Sequence, residues 1–147
     1  MTSAARGARD AAPGPEESAS SCGASFDQLI ADVFSRNCPS RAAMEDVAGK
    51  WSVLALLALA EGDYRFNALR RRVDGVSEKM LSQTLQVLER DGMVSRQVHS
   101  HIPPRVEYSL TALGARVATA LRGLADILEA AVPEIAAARA AYADREV

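Results

Sequence analysis

Cysteine is scarce: Cys22 and Cys38 are the only two in 147 residues. Two thiols cannot build a disulfide scaffold, and they fit the reducing conditions of a cytoplasm. No run approaches the ~18 uninterrupted apolar residues that a membrane span requires, and the opening MTSAARGARDAAPGPEES lacks the apolar core of a secretion signal. A cytoplasmic protein without a membrane partner is therefore expected. The chain also has no glycine-rich phosphate loop, no paired carboxylates in an obvious pocket and no nucleophile spaced to a histidine partner, so no enzyme and no cofactor are expected. Histidine is limited to His99 and His101. They share one strand face, and Cys38 is a conceivable third ligand, but an i, i+2 pair at a water-exposed tip makes a poor metal site, and phosphate contact or plain exposure is the preferred reading.

What is present suffices for one domain with a core and is too little for two: 48% of the residues are hydrophobic and 5% aromatic. The net charge of −2 ordinarily argues against a nucleic-acid partner. The distribution answers that objection. Between residues 65 and 105 there are eight Lys or Arg (Arg65, Arg70, Arg71, Arg72, Lys79, Arg90, Arg96, Arg105) against four acids, a local charge of +4. A phosphate surface meets a local face and not a whole-chain average.

The stretch from Arg65 to Leu110 has the order helix, turn, helix, strand, strand. The second helix is marked at both ends. Ser77 follows the turn Val73-Asp74-Gly75-Val76 and offers a hydroxyl to the first amides. Glu78 suits the positive end of the helix dipole, and Gly92 suits the left-handed residue that closes a helix. Between them Met80, Leu81, Thr84, Leu85 and Leu88 form one apolar stripe. Lys79, Ser82, Gln83, Gln86 and Arg90 occupy the other side, where amide, hydroxyl and cationic groups suit the base edges of a major groove. Ser77, Lys79, Ser82, Gln83 and Gln86 are the expected base readers, against the plainer reading of an ordinary solvated helix surface. Period-two alternation then predicts strands around Val94–Val98 and Val106–Leu110. His101-Ile102-Pro103-Pro104 reads as a hairpin tip longer than a two-residue turn, because neither proline can donate to a ladder. Arg65, Arg70, Arg71, Arg72, Arg90, Arg96, His99, His101 and Arg105 are the expected phosphate or wing residues.

The combination of Gly49-Lys50-Trp51, Arg65-Phe66-Asn67-Ala68-Leu69, Ser77-Glu78-Lys79-Met80-Leu81, Leu88-Glu89-Arg90-Asp91-Gly92 and Pro103-Pro104-Arg105-Val106-Glu107-Tyr108-Ser109-Leu110-Thr111 resembles the HxlR-type winged-helix transcriptional regulators over about residues 37–128. The resemblance implies an α+β, mainly α fold. A winged helix-turn-helix with a two-stranded wing occupies 37–110, flanked by an N-terminal dimerisation helix (25–36) and a C-terminal dimerisation helix and tail (111–147). It also implies a homodimer on a palindromic double-stranded DNA operator, and often a sensing step at the cysteine before the proline. Glu78, close to where phosphates would lie, sits awkwardly with that placement.

Along the rest of the chain, residues 1–24 are rich in Ala, Gly, Ser and Pro without periodicity and read as a disordered tail. Ser25 to Gln28 has a capping-box pattern, and Phe26, Leu29, Ile30, Val33 and Phe34 form an apolar stripe that packs either on its own domain or across a dimer. Pro39 suits a helix start, which puts Cys38 where unpaired amides favour a thiolate, with Arg36 and Arg41 nearby. Cys38 is the expected redox sensor, against the plainer reading of a small buried apolar residue, and Cys22 is a possible resolving thiol. Lys50 to Ala60 reads as a buried helix with Trp51 as anchor. Thr111 caps a last long helix, whose Leu113, Val117, Leu121, Leu124 and Leu128 form a seam suited to a two-fold partner before Pro133 interrupts it. The alternatives are a regulator answering a small molecule bound between the Trp51 helix and the dimer helices, and a protein-interaction module using the wing.

Overall fold

The computed structural model describes residues 32–146, and the chain divides into two compact units between Ala42 and Ala43. In the first unit, residues 33–37 form successive turns. The amide of Ser35 donates to the Asp32 carbonyl at 3.3 Å, and the Arg41 guanidinium donates to the Phe34 carbonyl at 2.9 Å. The helix expected through Arg36 therefore does not include these residues. Its earlier part, the tail and Cys22 lie outside the described residues. Helix α1 (Pro39–Ala48) opens on its proline as expected, because the first position of a helix has no use for an amide donor.

The second unit continues with α2 (Lys50–Glu61), β1 (Tyr64–Arg65), α3 (Phe66–Arg72), α4 (Glu78–Arg90), β2 (Val94–His101), β3 (Pro104–Leu110), α5 (Ala112–Ala130) and α6 (Val132–Arg145). The three strands make one antiparallel sheet in the order β1-β3-β2. The wing thus gains a strand beyond the two expected, since Tyr64 and Arg65 pair with Tyr108 and Glu107. Two residues are too few to show a period in the sequence.

The core forms where α2, the apolar helix, meets the stripes of its neighbours. Leu56 of α2, Leu69 of α3 and Leu81, Leu85 and Leu88 of α4 are essentially buried, joined by Met93, Val94 and Ala118. Each such leucine contributes on the order of 1.5–3 kcal/mol by leaving water. Between α3 and α4, Gly75 adopts φ +91°, a left-handed turn residue that a side chain would disfavour. Ser77 caps α4 as expected, its Oγ accepting from the Met80 amide at 3.1 Å. Gly92 closes the helix with φ +78°, while the Met93 amide reaches back to the Leu88 carbonyl at 2.9 Å.

The hairpin between β2 and β3 is tighter than expected. Only Ile102 and Pro103 connect the strands, and their peptide bond is cis, the geometry of a turn with proline at its third position. Pro104 begins β3 opposite His101, beyond the reach of β1, which pairs only as far as Glu107. The register slips by one between Val98 and Ser100, leaving His99 as the bulged residue.

Helix α5 is fastened to the end of α4 by Thr111. Its Oγ1 accepts from the Gly114 amide at 3.0 Å and donates to the Gly92 carbonyl at 2.6 Å, and its own amide donates to the Met93 carbonyl at 3.1 Å. Gly114 is buried directly against that carbonyl, so a Cβ there would collide with backbone. The seam expected along α5 is divided. Val117 and Leu121 pack on the chain's own core, whereas Leu124, Ile127, Leu128 and Val132 remain about half exposed or more.

The C-terminus of α4 is also tied to α1. The Arg90 guanidinium lies 3.0 Å from Asp46 and 3.4 Å from Asp91, and one oxygen of Asp91 is buried without a partner. Hydrogen bonding to Asp91, burial and the Asp91 charge hold the Asp46 carboxyl above its ordinary range, against the opposing pull of Arg90.

Two stability experiments follow from these contacts. Gly114→Ala should lower the unfolding free energy by about 1–3 kcal/mol or more through overpacking. Gly123→Ala, in the same helix and open to space, should raise it by up to ~1 kcal/mol; denaturant titration of both variants checks the contrast. Because Asp46 gives up its proton less readily folded than unfolded, its favourable contribution is complete at low pH and declines as pH rises through its raised folded value. Asp46→Asn should therefore match or exceed the parent's stability near neutrality by less than ~1 kcal/mol, and flatten the pH dependence above about pH 4. Denaturation at acid and neutral pH measures it.

Candidate nucleic-acid interface

Helix α4 exposes Lys79, Ser82, Gln83 and Gln86 on the side opposite Leu81, Thr84, Leu85 and Leu88. The expected separation of faces is present, with one difference. Met80, assigned to the buried stripe, is 41% exposed, because in the first turn it projects past the edge of the core and lies next to the polar face. Ser77 is exposed as well, with its Oγ accepting from the Met80 amide in the cap.

The arginines fall into two groups. Arg70 and Arg71 are exposed and have no ion pair among the described residues, and the same holds for Arg65, Arg96 and Arg105. Arg72 makes a two-pronged contact with Glu61 at 2.9 and 3.2 Å. Arg90 is held by Asp46 and Asp91. Both were expected to face phosphate; both are exposed and also link helices, through Glu61 and Asp46, acids distant in sequence whose proximity only folding creates.

Between α4 and the sheet lies a cleft of about 370 Å³ lined by Ser82, Leu85, Gln86, Glu89, Arg96 and Tyr108. A second cleft, of about 160 Å³, lies on the sheet itself and is lined by Arg65, His99, Arg105, Val106 and Glu107. There His99 Nε2 is 3.0 Å from Glu107 Oε2. His101 ends β2 at the tip. Glu107 was not singled out in the sequence. It was visible as a polar member of an alternating strand, but its neighbours depend on the strand register and on the bulge at His99.

The cavity bordered by α2, α3 and α5, lined by Leu54, Leu57, Ala58, Glu61, Arg72 and Arg122 among others, measures about 170 Å³. Ordinary small-molecule sites run from roughly 300 Å³ upward. Arg122 on its rim is engaged with Asp126 and Glu129 at 2.9 and 3.0 Å. Trp51 is half-buried beneath the Lys50 ammonium, which lies 4.4 Å from the ring centre, an anchor on the core side.

Cys38 is buried, with Sγ 2.9 Å from Ser40 Oγ. Burial pushes the thiol up, but the Ser40 hydroxyl and the backbone amides of Ser40 and Arg41 outweigh it, and the net effect is to hold the thiol below its ordinary value. Among the described residues no group of three His, Cys, Asp or Glu side chains is arranged to hold a metal, and no helix is long and apolar enough to cross a membrane.

Known proteins share this arrangement. The HTH-type transcriptional regulator YtfH of Escherichia coli (strain K12) is 49% identical over 108 residues, covering 74% of this chain and 86% of the relative. The solved structure of the transcriptional regulator ytfH from Salmonella typhimurium superposes with a TM-score of 0.69 at 47% identity, covering 74% of this chain and 96% of that one. The redox regulator HypR in its reduced form superposes with a TM-score of 0.62 at 30% identity, covering 67% and 98%. The family model for the HxlR-like helix-turn-helix matches residues 46–136, the segment that carries α4, the wing and the helices packed on them, and the chain belongs to that family of transcriptional regulators.

Proposed function

We propose that the protein binds a palindromic operator as a homodimer, with Lys79, Ser82, Gln83 and Gln86 reading base edges and with operator affinity set by the oxidation state of Cys38. The observation that carries the DNA reading is the rotation of α4. Its leucines are buried in the core, so its hydroxyl, amide and ammonium groups stand together in solvent, the chemistry that a major groove requires. Arg65, Arg70, Arg71, Arg96 and Arg105 then serve the phosphates, with the wing's His99 and His101. Arg72 and Arg90 act on the fold. Ser77 contributes by capping the helix.

The exposed Leu124, Ile127, Leu128 and Val132 supply an apolar face suited to a second copy. A two-fold dimer would set the two α4 helices about one duplex turn apart, ~34 Å. For Cys38, the lowered thiol supports nucleophilic attack on a peroxide: sulfur takes one oxygen as a sulfenic acid and hydroxide leaves. HypR, described as a redox regulator, shares the fold at an identity that makes the comparison relevant.

Gln83→Ala and Lys79→Ala should relax discrimination between operator variants by roughly 1–3 kcal/mol per lost base contact. Arg71→Ala should weaken all duplexes alike and reduce the salt slope by about one. Anisotropy titrations on matched and scrambled duplexes separate the two patterns, and equal losses from Gln83→Ala on every sequence remove that residue from base reading. In gel-shift titrations, peroxide should change the affinity of the parent and leave Cys38→Ser unaffected. Persistent sensitivity in the variant excludes Cys38 as the sensor.

A further inference from the structure

The cleft on the wing carries more than generic positive charge. Arg65 and Glu107 are cross-strand partners in the β1–β3 ladder, and Gln97 faces Glu107 from β2. Alternation places Arg105 and Glu107, two apart on β3, on that same face. The bulge at His99 adds an imidazole to this group, 3.0 Å from the Glu107 carboxylate. Among the described residues that line the cleft, the ionisable groups are Arg65 from β1, His99 from β2, and Arg105 and Glu107 from β3. Two guanidiniums on an open sheet face suit a phosphate group, yet the only acid among the lining residues stands between them.

We propose that Glu107 is an electrostatic gate on a phosphate site formed by Arg65 and Arg105, and that protonation of His99 opens it. With His99 neutral, the carboxylate repels an incoming phosphate from the two guanidiniums beside it. With His99 protonated, the Glu107 charge is neutralised within the His99–Glu107 pair and the arginines are left to the ligand. The wing therefore tightens its hold on phosphate when His99 takes up a proton. The inference rests on the DNA reading above and adds to it a proton-linked contact that is indifferent to base sequence. The balance is at most one proton, taken up by His99, per phosphate engaged. The phosphate can belong to a duplex backbone or be a free anion.

The experiment uses the full chain with a mixed-sequence duplex, by anisotropy at about pH 6 and about pH 8 at constant ionic strength. The parent should bind about two- to fivefold more tightly at the lower pH, the scale of one exposed ion pair. Glu107→Gln at the higher pH should reach the parent's low-pH affinity. His99→Gln should lose the larger part of the pH difference. Parallel NMR of the His99 imidazole distinguishes the ligand's source: a shift on adding duplex alone assigns the site to the backbone, and a shift with inorganic phosphate assigns it to a free anion. Unchanged affinity in Glu107→Gln, retention of the full pH difference in His99→Gln, or an imidazole that responds to neither ligand overturns the gate. If the parent shows no duplex binding at either pH, the DNA reading falls as well. If duplex binding is normal and only the Glu107 and His99 variants are silent, the gate alone fails.

Discussion

A helix that buries one side in a core has no freedom to choose which side it shows to solvent. In α4 that constraint is set by Leu81, Leu85 and Leu88, all buried together with Leu56 of α2 and Leu69 of α3. Rotating α4 about its axis would expose these leucines, each worth on the order of 1.5–3 kcal/mol, with nothing on the polar side to compensate. The presentation of Lys79, Ser82, Gln83 and Gln86 is therefore a consequence of packing, and the exposed residues need make no contribution to stability to be held in place. They are available to a ligand for that reason.

The two ends of α4 are secured by different means. At the start, the Ser77 hydroxyl satisfies the Met80 amide. At the finish, Gly92 turns the chain back, Thr111 bonds to the Gly92 carbonyl, and Gly114 allows α5 to approach the Met93 carbonyl. The wing, α4 and α5 thus meet within a few residues of Gly92. Helix α5, which carries the exposed apolar face, touches α4 both at this junction and through the shared core around Ala118. Arg90, bound to Asp46, connects the same end of α4 to α1.

The clustered arginines are not equivalent. Local density from residue 65 to 105 identified a basic region, but it could not separate Arg70 and Arg71, which have no ion pair among the described residues, from Arg72 and Arg90, whose partners Glu61 and Asp46 lie 11 and 44 residues away. Charge counting treats all four alike, because it has no information about which acids folding will bring alongside. The same blindness concealed Glu107. Its neighbours are Arg65, opposite it in one ladder, and the bulged His99, 3.0 Å away on the other strand, and neither relation is a property of its own segment.

Local chemistry was readable from residues alone wherever a short segment decides its own conformation. The Ser77 and Thr111 caps, the left-handed glycines 75 and 92, the helix start at Pro39, the break at Pro133 and the two faces of α4 all follow from interactions spanning a few residues, and the family motifs are built from the same segments. Features that join distant segments were decided only by the packed chain: the third strand at Tyr64–Arg65, the compact turn at Ile102-Pro103, the exposure of Met80, the division of the α5 seam and the ion pairs of Arg72 and Arg90. The physical reason is range. Propensity, capping and turn chemistry act along a few consecutive residues, whereas register, burial and charge pairing depend on which surfaces meet once the chain has closed on itself.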